Sequence, residues 1–364
     1  MSSHQVIVIG AGIAGAATAW SLKQAGFDDV VIVEKEPQAG LHSSSRNAAI
    51  LRTAIEQPAL AKLATESADF YRQAPSSFCE QPLVEKCGLY ITVDKDGDSS
   101  WMPKCANASM ADIRQHYPWL ANHQVDVWHF ANEGVVDIHS LLHSFLRNQS
   151  VHYNFPVDRL LIEDNRVIGV QNQDQKLLAD KVVIANGGWA NEFCIQSPLN
   201  NPFRPHRRHL MVSAAMPDLD PYAPVVWATG TNEFYFRPES GGILISACDH
   251  ELVDPRYGEN IDPNIIDRIA TKAEYWLPHI SEVQPKHLWS GLRTFGADNH
   301  FAVGPDPGID KLYWVAGLAG HGMSTAYAVG QIISDWIVHD NCNHPSAGAV
   351  LPQRLIDLPS FATV

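Results

Sequence analysis

Apolar runs and helical patterns alternate at the start of the chain. Residues 5–9, QVIVI, predict a fully buried parallel strand, and residues 30–33, VVIV, predict a second one. Between them, residues 13–25 predict a helix that ends at Gly26. Two buried strands joined by a helix form a βαβ unit, whose crossover is almost always right-handed. The chain therefore begins as an α/β domain with a parallel sheet.

Helical and extended patterns continue along the chain without an internal repeat. Residues 157–185 predict a β-meander that ends in another buried strand, and residues 314–337 predict a strand, a glycine-rich turn and a long helix. Residues 42–50 predict a polar loop that runs into a helix start, whereas the order of residues 100–130 is not predicted. The other predicted helices span 58–71, 137–149 and 262–277, and the other predicted strands span 88–93, 208–214, 233–238 and 242–247.

Length, charge and hydropathy narrow the classes of function. The chain has 364 residues, which suggests two domains or one large composite at about 150 residues per domain. Its formal charge of −14 repels phosphate backbones, so no nucleic-acid partner is expected. No apolar run reaches the ~18 residues of a membrane span, so no transmembrane segment is expected.

Cysteine and histidine spacings predict neither a disulfide framework nor a metal centre. The six cysteines are irregularly spaced and form no CxxC pair. None of the 17 histidines falls in an HExxH motif, so we expect no metal. The apolar N-terminus lacks the basic region of a signal peptide. These features favour a reducing compartment, and we expect a cytoplasmic protein.

A GxGxxG motif follows the first predicted strand and opens the first predicted helix. Gly10 allows the tight turn, Gly12 lets the backbone approach a pyrophosphate, and Gly15 lets helix and strand pack closely. Glu34 ends the second strand, 19 residues after Gly15, where a carboxylate accepts the hydroxyls of an adenosine ribose and repels a 2′-phosphate. The motif predicts a dinucleotide at the positive end of the helix. The neighbouring residues of the same predicted site are Ile13, Ala14 and Lys35.

The order of the segments distinguishes FAD from NAD. An NAD domain normally completes its Rossmann fold in consecutive sequence. Here the second strand leads instead into the polar segment 42–50, and the next buried strand ends only at Ala185. A further glycine turn, at residues 317–322, lies near the C-terminus. Such an interrupted order is typical of FAD folds.

With these segments, the chain resembles the D-amino acid oxidase superfamily of FAD-dependent oxidoreductases, which includes sarcosine oxidase, glycine oxidase and D-amino acid dehydrogenases. It looks most similar to the bacterial D-arginine dehydrogenase type in HSSSRNAAI, PSSFCEQPL, RPHRRHLMVSA, EFYFRPESGGILIS, HLWSGLRTFGAD and WVAGLAGHGMSTAYA. The resemblance implies an α/β fold with a discontinuous, Rossmann-like FAD-binding domain of residues 1–55, 133–202 and 285–364. Residues 56–132 and 203–284 would form a substrate domain with a mixed, largely antiparallel sheet.

The resemblance also implies which residues contact FAD. Val157 would meet the adenine through its backbone, and the helix starting near Ser324 would direct its positive end at the flavin. No cysteine lies near Ser290–Thr294, where relatives with covalent flavin carry one, so we expect noncovalent FAD. Without the resemblance, residues 42–50 would be an ordinary polar helix start and residues 317–322 a simple glycine-rich turn. The other implied contacts are Ser43, Ser44, Arg46, Asn47, Ala48, Ala185, Gly187, Trp189, Gly291, Arg293, Gly317, Gly320, His321, Gly322 and Met323.

Three residues match family positions that bind the substrate carboxylate. Arg208 and Arg293 present guanidinium groups, whose planar forks suit a carboxylate, and Tyr235 would donate to the same group. A surface ion pair is the usual alternative for a single arginine. His321 lies in the flavin turn, where it would act as a base or only hydrogen-bond the flavin. Arg207 is expected on the opposite strand face.

The predicted side-chain pocket departs from that of the D-arginine-specific relatives. These carry an acidic residue, a histidine and a tyrosine where this chain has Gly88, Ile50 and Ile55. We therefore expect an apolar or roomy pocket and a neutral D-amino acid as substrate. An acidic residue from elsewhere, Glu56 or Glu85, would change that expectation by reaching the pocket.

The resemblance implies oxidative deamination, with hydride transfer from the substrate α-carbon to flavin N5. A D-amino acid would yield a 2-oxo acid and ammonia. Three alternatives remain: a secondary amine such as sarcosine or proline, a 2-hydroxy acid, or a flavin subunit within a hetero-oligomeric dehydrogenase. The electron acceptor (oxygen, a quinone or a partner protein) is not predicted by the sequence. The charge of −14 disfavours a role in RNA modification.

Overall fold

The computed structural model describes residues 3–102, 106–173, 175–199, 202–278 and 283–356 of the chain. Cys105 and the ends of the predicted domain segments at 1–2, 200–201 and 357–364 lie outside the described residues. The division into two domains stays a prediction.

The described residues form helices and strands in the following order. The helices are α1 (Ile13–Gln24), α2 (Pro58–Arg72), α3 (Met110–His116), α4 (Ile138–Leu146), α5 (Asn191–Cys194), α6 (Ile265–Trp276), α7 (Gly322–His339) and α8 (Ala347–Val350). The strands are β1 (Ser3–Ile9), β2 (Val30–Val33), β3 (Ile50–Leu51), β4 (Val84–Glu85), β5 (Leu89–Asp94), β6 (Ala106–Ala108), β7 (Val125–Phe130), β8 (Gly134–Val136), β9 (Ser150–His152), β10 (Arg159–Glu163), β11 (Arg166–Asn172), β12 (Gln175–Ile184), β13 (Phe203–Ser213), β14 (Val225–Ala228), β15 (Phe234–Glu239), β16 (Gly242–Ser246), β17 (Glu251–Leu252), β18 (Pro285–Gly296), β19 (Ala302–Pro305) and β20 (Leu312–Ala316).

The first sheet has a parallel centre in the order β20, β12, β1, β2, β9. The long strand β12 also pairs with the antiparallel strands β11 and β10, which confirms the predicted meander. Both faces of β1 are buried. Val6 and Val8 pack with residues of α1 and α7, whereas Ile7 and Ile9 pack with the meander. Burial on both faces explains why this strand is a continuous apolar run rather than an alternating one.

The second sheet is mixed and largely antiparallel, as expected. Its order is β17, β13, β16, β15, β14, β5, β7, β6, with β18 also pairing with β13. Only the pairing of β14 with β5 is parallel among the described strands of this sheet. The register of β13 and β18 places Arg208 opposite Gly291 and Arg293 opposite His206. Because side chains alternate along a strand, Arg208 and Arg293 lie on the same face of the sheet.

Residues 42–50 do not lead into a helix, which corrects the sequence prediction. They form turns that end in β3, and α2 begins only at Pro58. The Asn47 side chain donates to the carbonyls of Ser43 (3.1 Å) and Ser44 (2.9 Å), and it accepts from the Ala49 N–H at 2.8 Å. Such local side-chain bonds compete with helical ones. Residues 100–130, which carried no prediction, contribute β6, α3 and β7.

Helices α1 and α7 pack tightly against each other beside the first sheet. A Cβ added at Gly330 would lie 2.6 Å from Ser21 Oγ and 2.8 Å from the Ala17 carbonyl oxygen. The glycine therefore permits the close approach of the two helices whose N-termini face the functional site. No helix in the described part of the chain has both the length and the hydropathy needed to cross a bilayer.

We expect Gly330→Ala to lower the free energy of unfolding by about 1–3 kcal/mol, because the added methyl group must displace Ser21 and the main chain of Ala17. The higher helix propensity of alanine, ~1 kcal/mol, offsets only part of that loss. Gly348→Ala in α8 is the matched control, since an added Cβ there meets no atom within 4 Å. Urea unfolding of both variants measures the effect, and a Gly330→Ala protein as stable as wild type would contradict this packing.

Candidate functional site

A cavity of about 700 Å³ lies where the carboxyl ends of the parallel strands meet β13 and β18. Ile9, Val33, Ala185 and Ala316 line it at or next to the ends of β1, β2, β12 and β20. The carboxyl edge of a parallel sheet is where open α/β folds bind ligands, and this volume suits a large ligand.

Almost all of the predicted cofactor residues line this cavity. Gly15 does not, because it lies beneath the glycine turn, where an added Cβ would overlap the Gly10 carbonyl oxygen. The predicted residues in the lining are Gly10, Gly12, Ile13, Ala14, Glu34, Lys35, Ser43, Ser44, Arg46, Asn47, Ala48, Val157, Ala185, Gly187, Trp189, Gly291, Arg293, Gly317, Gly320, His321, Gly322, Met323 and Ser324.

A carboxylate accepts a hydrogen bond from the main chain of the glycine turn. Gly10 has φ +107°, and an added Cβ would lie 2.7 Å from the Ala185 carbonyl oxygen. The buried Glu34 accepts hydrogen bonds from Ala11 N at 2.7 Å and Glu36 N at 3.0 Å. Ser44 Oγ accepts from Ile13 N at 2.9 Å. Since the first turn of α1 carries no acidic residue, its positive end remains available to an anion.

A cluster of charged and aromatic groups lies around Trp189 in the cavity lining. The Lys35 ammonium lies 3.4 Å from the centroid of the Trp189 ring, and the His42 ring lies 4.5 Å from it. His42 Nε2 contacts Glu36 at 2.9 Å, and His42 Nδ1 contacts Glu259 at 2.7 Å. Sequence reasoning missed His42, Glu36 and Glu259, because no motif marks the first two and the pairing of His42 with Glu259 joins segments that are far apart in the chain.

The second helix N-terminus at the cavity belongs to α7. The turn after β20 needs left-handed backbone at Gly317 (φ +67°) and Gly320 (φ +82°). An added Cβ at Gly320 would meet the Arg293 side chain at 2.9 Å. The helix begins at Gly322, two residues before the predicted start, and its first turn carries no acidic residue. Its positive end therefore faces the same region as Arg293.

Arg208 is buried and the neighbouring Arg293 is half-buried, and neither has a salt-bridge partner among the described residues. Arg208 donates from Nε to the Asp249 carbonyl at 3.1 Å and from Nη2 to the Cys248 carbonyl at 3.4 Å. Its Nη1 is buried with no hydrogen-bond partner. Burial, and then the charge of Arg208, lowers the pKa of Arg293 below its ordinary value. Buried charges are costly unless paired, so this end of the cavity is built to receive an anion.

Tyr235 does not line the cavity but supports Arg293. Its side chain is fully buried, and its hydroxyl oxygen accepts a hydrogen bond from Arg293 Nη2 at 3.4 Å. Burial raises the pKa of Tyr235, although the neighbouring arginine opposes that shift. The phenol therefore stays protonated at neutral pH.

His321 is the N-cap residue of α7 and lines the cavity together with the two arginines. Burial lowers the pKa of His321 to about 3, with further contributions from the charges of Arg52, Arg293 and Arg208. An imidazole with that pKa is neutral at physiological pH and holds a proton poorly, which disfavours it as a general base.

The structure separates the three residues predicted for the side-chain pocket. Ile50 lines the cavity, whereas Ile55 is buried in the core beside α2 and Gly88 lies outside the lining. Gly88 has φ +91°, and an added Cβ would lie 2.9 Å from His129 Nε2. A glutamate at position 88 would therefore be strained and directed at His129 rather than at a substrate.

Several polar residues of the lining were not predicted as site residues, among them Arg52, Trp227 and Glu233. Glu56, named above as an acidic residue that would change the expected substrate, also lines the cavity, whereas Glu85 does not. Arg52 is buried, donates from Nη2 to Glu56 at 3.3 Å, and has its guanidinium carbon 4.7 Å from the Trp227 ring centroid. The indole Nε1 of Trp227 is buried without a partner. Arg52 lies two residues after Ile50, so strand alternation from that residue could have indicated it.

Comparison with known proteins points to one family. Residues 5–336 match the model of the DAO family, described as FAD dependent oxidoreductase. The chain is 26% identical to the glycine oxidase of Pseudomonas putida over 92% of this chain and 94% of that one. It is 23% identical to 4-methylaminobutanoate oxidase (formaldehyde-forming) of Paenarthrobacter nicotinovorans, again over 92% of this chain. It spans only 43% of that relative's length.

Solved structures show the same fold. L-Proline dehydrogenase from P. horikoshii aligns with a TM-score of 0.85 at 18% identity, over 97% of this chain and 98% of that one. Glycine oxidase from Bacillus cereus aligns with a TM-score of 0.80 at 22% identity, over 94% and 99%. These relatives do not support the narrower resemblance to the D-arginine dehydrogenase type.

FAD is the cofactor that the family uses, and we expect it to be bound without a covalent link. No cysteine is among the described residues that line the cavity. Acid precipitation of the yellow protein should therefore release the flavin into the supernatant, where its absorbance is measured. Flavin that stays with the precipitated chain after washing would show a covalent bond.

Proposed function

Since this chain belongs to the DAO family of FAD-dependent oxidoreductases, we propose that it oxidises the carbon–nitrogen bond of a small amino acid whose carboxylate binds Arg208 and Arg293. The family match supports FAD-dependent oxidation of an amino acid or amine. The observation that carries the finer proposal is the arginine pair, in which Nη1 of the buried Arg208 lacks a hydrogen-bond partner. A substrate carboxylate would supply the missing acceptor and the missing negative charge.

The residues of the cavity fit FAD. The N-terminus of α1, with Gly12 and Ser44, would hold the pyrophosphate, and Glu34 would accept the ribose hydroxyls. The N-terminus of α7 would lie against the flavin, where its dipole favours negative charge. When bound, FAD supplies the two-electron acceptor for the substrate.

The protein would contribute orientation and electrostatics. Arg208 and Arg293, with Tyr235 behind Arg293, would fix the carboxylate and so orient the α-carbon. The positive charges around His321 also disfavour an ammonium group, which favours a substrate amine in its neutral, reactive form. No cavity residue is needed as a base if the amine loses its proton to solvent. A primary amine yields an imine, which water hydrolyses to a 2-oxo acid and ammonia.

Two substrate classes fit this site. The first is a neutral D-amino acid. The second is a secondary amine. It is supported by N-methylated substrates in the names of two relatives, 4-methylaminobutanoate oxidase (a secondary amine) and rat dimethylglycine dehydrogenase (a tertiary amine), to which this chain is 23% and 25% identical. A 2-hydroxy acid would bind its carboxylate to the same two arginines. So would the substrate of a flavin subunit within a hetero-oligomer. Anaerobic bleaching of the flavin by D- and L-alanine, sarcosine, D- and L-proline and lactate separates the substrate classes. Failure of every amine to bleach it would contradict the proposal.

Removal of either arginine should weaken catalysis strongly. We expect Arg208→Ala and Arg293→Ala to lower kcat/KM by roughly 30- to 1000-fold, about 2–4 kcal/mol, because the carboxylate is left poorly paired in a partly dry site. The flavin content should barely change. Arg207→Ala is the matched control, because Arg207 pairs with Glu251 at 2.6 Å and lies outside the cavity lining. An Arg208→Ala or Arg293→Ala enzyme with near-normal turnover of a carboxylate substrate would refute the role of that arginine.

We expect the positive charge of Arg52 to determine which substrate side chains the cavity accepts. The Arg52 side chain is buried whereas that of Glu56 is exposed. A cationic substrate side chain inside the cavity would therefore lie closer to the guanidinium than to the carboxylate. We expect D-norleucine to exceed D-lysine in kcat/KM, because the lysine ammonium loses water and gains repulsion. Arg52→Met should narrow that ratio by removing the positive charge and freeing Glu56. Wild-type preference for D-lysine, or an unchanged ratio in the variant, would contradict this role of Arg52.

A further inference from the structure

The guanidinium of Arg208 is held by main-chain carbonyls although a carboxylate belongs to the same turn. Its Nε and Nη2 donate to the carbonyls of Asp249 and Cys248 at 3.1 and 3.4 Å. The Asp249 side chain makes no ion pair with Arg208 in the described structure. Neutral carbonyls anchor the guanidinium without neutralising it, whereas a carboxylate would occupy and neutralise the group that the proposed function needs for substrate.

The Asp249 carboxylate is instead bound entirely by His209. Oδ1 accepts from the main-chain N–H of His209 at 2.9 Å, and Oδ2 lies 2.8 Å from His209 Nδ1. His209 is fully buried, and its Nε2 accepts a hydrogen bond from Asp262 N at 3.1 Å. Since Nε2 is an acceptor, the ring proton resides on Nδ1 and is donated to Asp249. His209 thus presents two donors to one carboxylate.

Strand geometry separates the two interactions. Arg208 and His209 are consecutive residues of β13, so their side chains point to opposite faces of the sheet. The segment Cys248–Asp249 lies between β16 and β17, which both pair with β13, and it contacts both side chains. Cys248 is in the left-handed region (φ +52°), which is uncommon for a residue other than glycine. Its N–H donates to Ser246 Oγ at 3.2 Å, and that hydroxyl donates to the His209 carbonyl at 2.9 Å.

We propose that His209 and Asp249 are a positioning pair for Arg208. By holding the Asp249 carboxylate on the far side of β13, His209 fixes the Cys248–Asp249 turn so that only its carbonyls face Arg208. The guanidinium then keeps its orientation, and its Nη1 stays without a hydrogen-bond partner, so that it can bind a substrate carboxylate. This inference rests on the proposed function. It assigns to two residues outside the cavity lining a role in substrate affinity.

Two substitutions at His209 separate positioning from stability. His209→Leu removes the Nδ1 donor, so the Asp249 carboxylate becomes free to turn towards Arg208. His209→Asn keeps an N–H close to the position of Nδ1 but loses the acceptor for Asp262 N. Both variants should lower the melting temperature. Only the leucine variant should lose affinity for a carboxylate.

The probe is acetate, titrated into the FAD-loaded protein and followed by the change in flavin absorbance, with acetamide as the neutral control. We expect His209→Leu to raise the acetate Kd roughly 10- to 150-fold, the range for losing a hydrogen bond to a charged group. His209→Asn should stay within about 3-fold of wild type, since its amide restores the donor. Equal losses in the two variants, or no loss in His209→Leu, would overturn the inference in favour of a structural role.

Asp249→Asn provides an independent test if the leucine variant does not fold. An amide can accept from only one of the two His209 donors, so the turn should loosen and the acetate Kd should rise several-fold. Asp306→Asn is the matched control, because Asp306 is a buried carboxylate that binds Trp314 Nε1 at 2.8 Å, away from Arg208. An acetate Kd that does not differ between these two variants would overturn the inference.

If the proposed function is wrong, the acetate titrations should give a different pattern. In that case the wild-type protein would show no acetate-dependent change in flavin absorbance, and Arg208→Ala would behave as the wild type does. If the wild type binds acetate and Arg208→Ala does not, the carboxylate site exists. The His209 and Asp249 variants then test the positioning pair alone.

Discussion

The pairing of β13 with β18 brings two guanidinium groups together in the lining of one cavity. Arg208 lies opposite Gly291, and Arg293 lies opposite His206, so the two arginines share a sheet face that closes the cavity. Neither has an acidic partner among the described residues, and the N-terminus of α7 adds further positive potential. Two like charges in a low-dielectric site repel each other, and an anion placed between them relieves that cost. Most chemical features of the site follow from this constraint.

The same positive potential explains the state of the other polar groups. His321 is neutral because burial and three arginines lower its pKa to about 3. Tyr235 contacts Arg293 rather than the cavity, and it remains protonated because burial outweighs the opposing effect of the arginines on its pKa. Arg52 extends the positive region towards Trp227, where Glu56 partly balances it. A site of this kind would bind a carboxylate and a neutral amine together, which are the two halves of an oxidisable amino acid.

The cofactor side of the cavity was predictable from sequence because its signals are local. The glycine motif, the helix after it and Glu34 follow one another at a fixed spacing, and that spacing predicts the turn, the helix dipole and an acceptor for a ribose. The turn at Gly317–Gly320 was also predictable from a local signal. Glycine is common where the backbone must be left-handed, and both glycines adopt that conformation here. The helix expected after residue 42 was wrong because Asn47 uses its side chain to satisfy the local backbone.

The side-chain pocket was less predictable because it depends on backbone direction and on contacts between distant segments. Gly88 has a positive φ and faces His129, so its match to an acidic residue of relatives does not bring it to the cavity. Ile55 turns into the core, while Arg52, three residues earlier, enters the lining. The contacts of Asp249 with Arg208 and His209 join residues about forty positions apart, and no local pattern indicates them.

The central claim is that the arginine pair recognises a substrate carboxylate in its anionic form. Anaerobic flavin reduction by an amino acid and by the amide of the same amino acid tests it most directly, for example sarcosine against sarcosine amide and D-alanine against D-alaninamide. The amine and the α-carbon are the same in each pair, and only the negative charge is lost. We expect the acid to reduce the flavin roughly 100-fold faster than the amide at equal subsaturating concentration, with both amines compared in their neutral form. Equal rates for acid and amide, for every amino acid that reduces the flavin, would contradict the account.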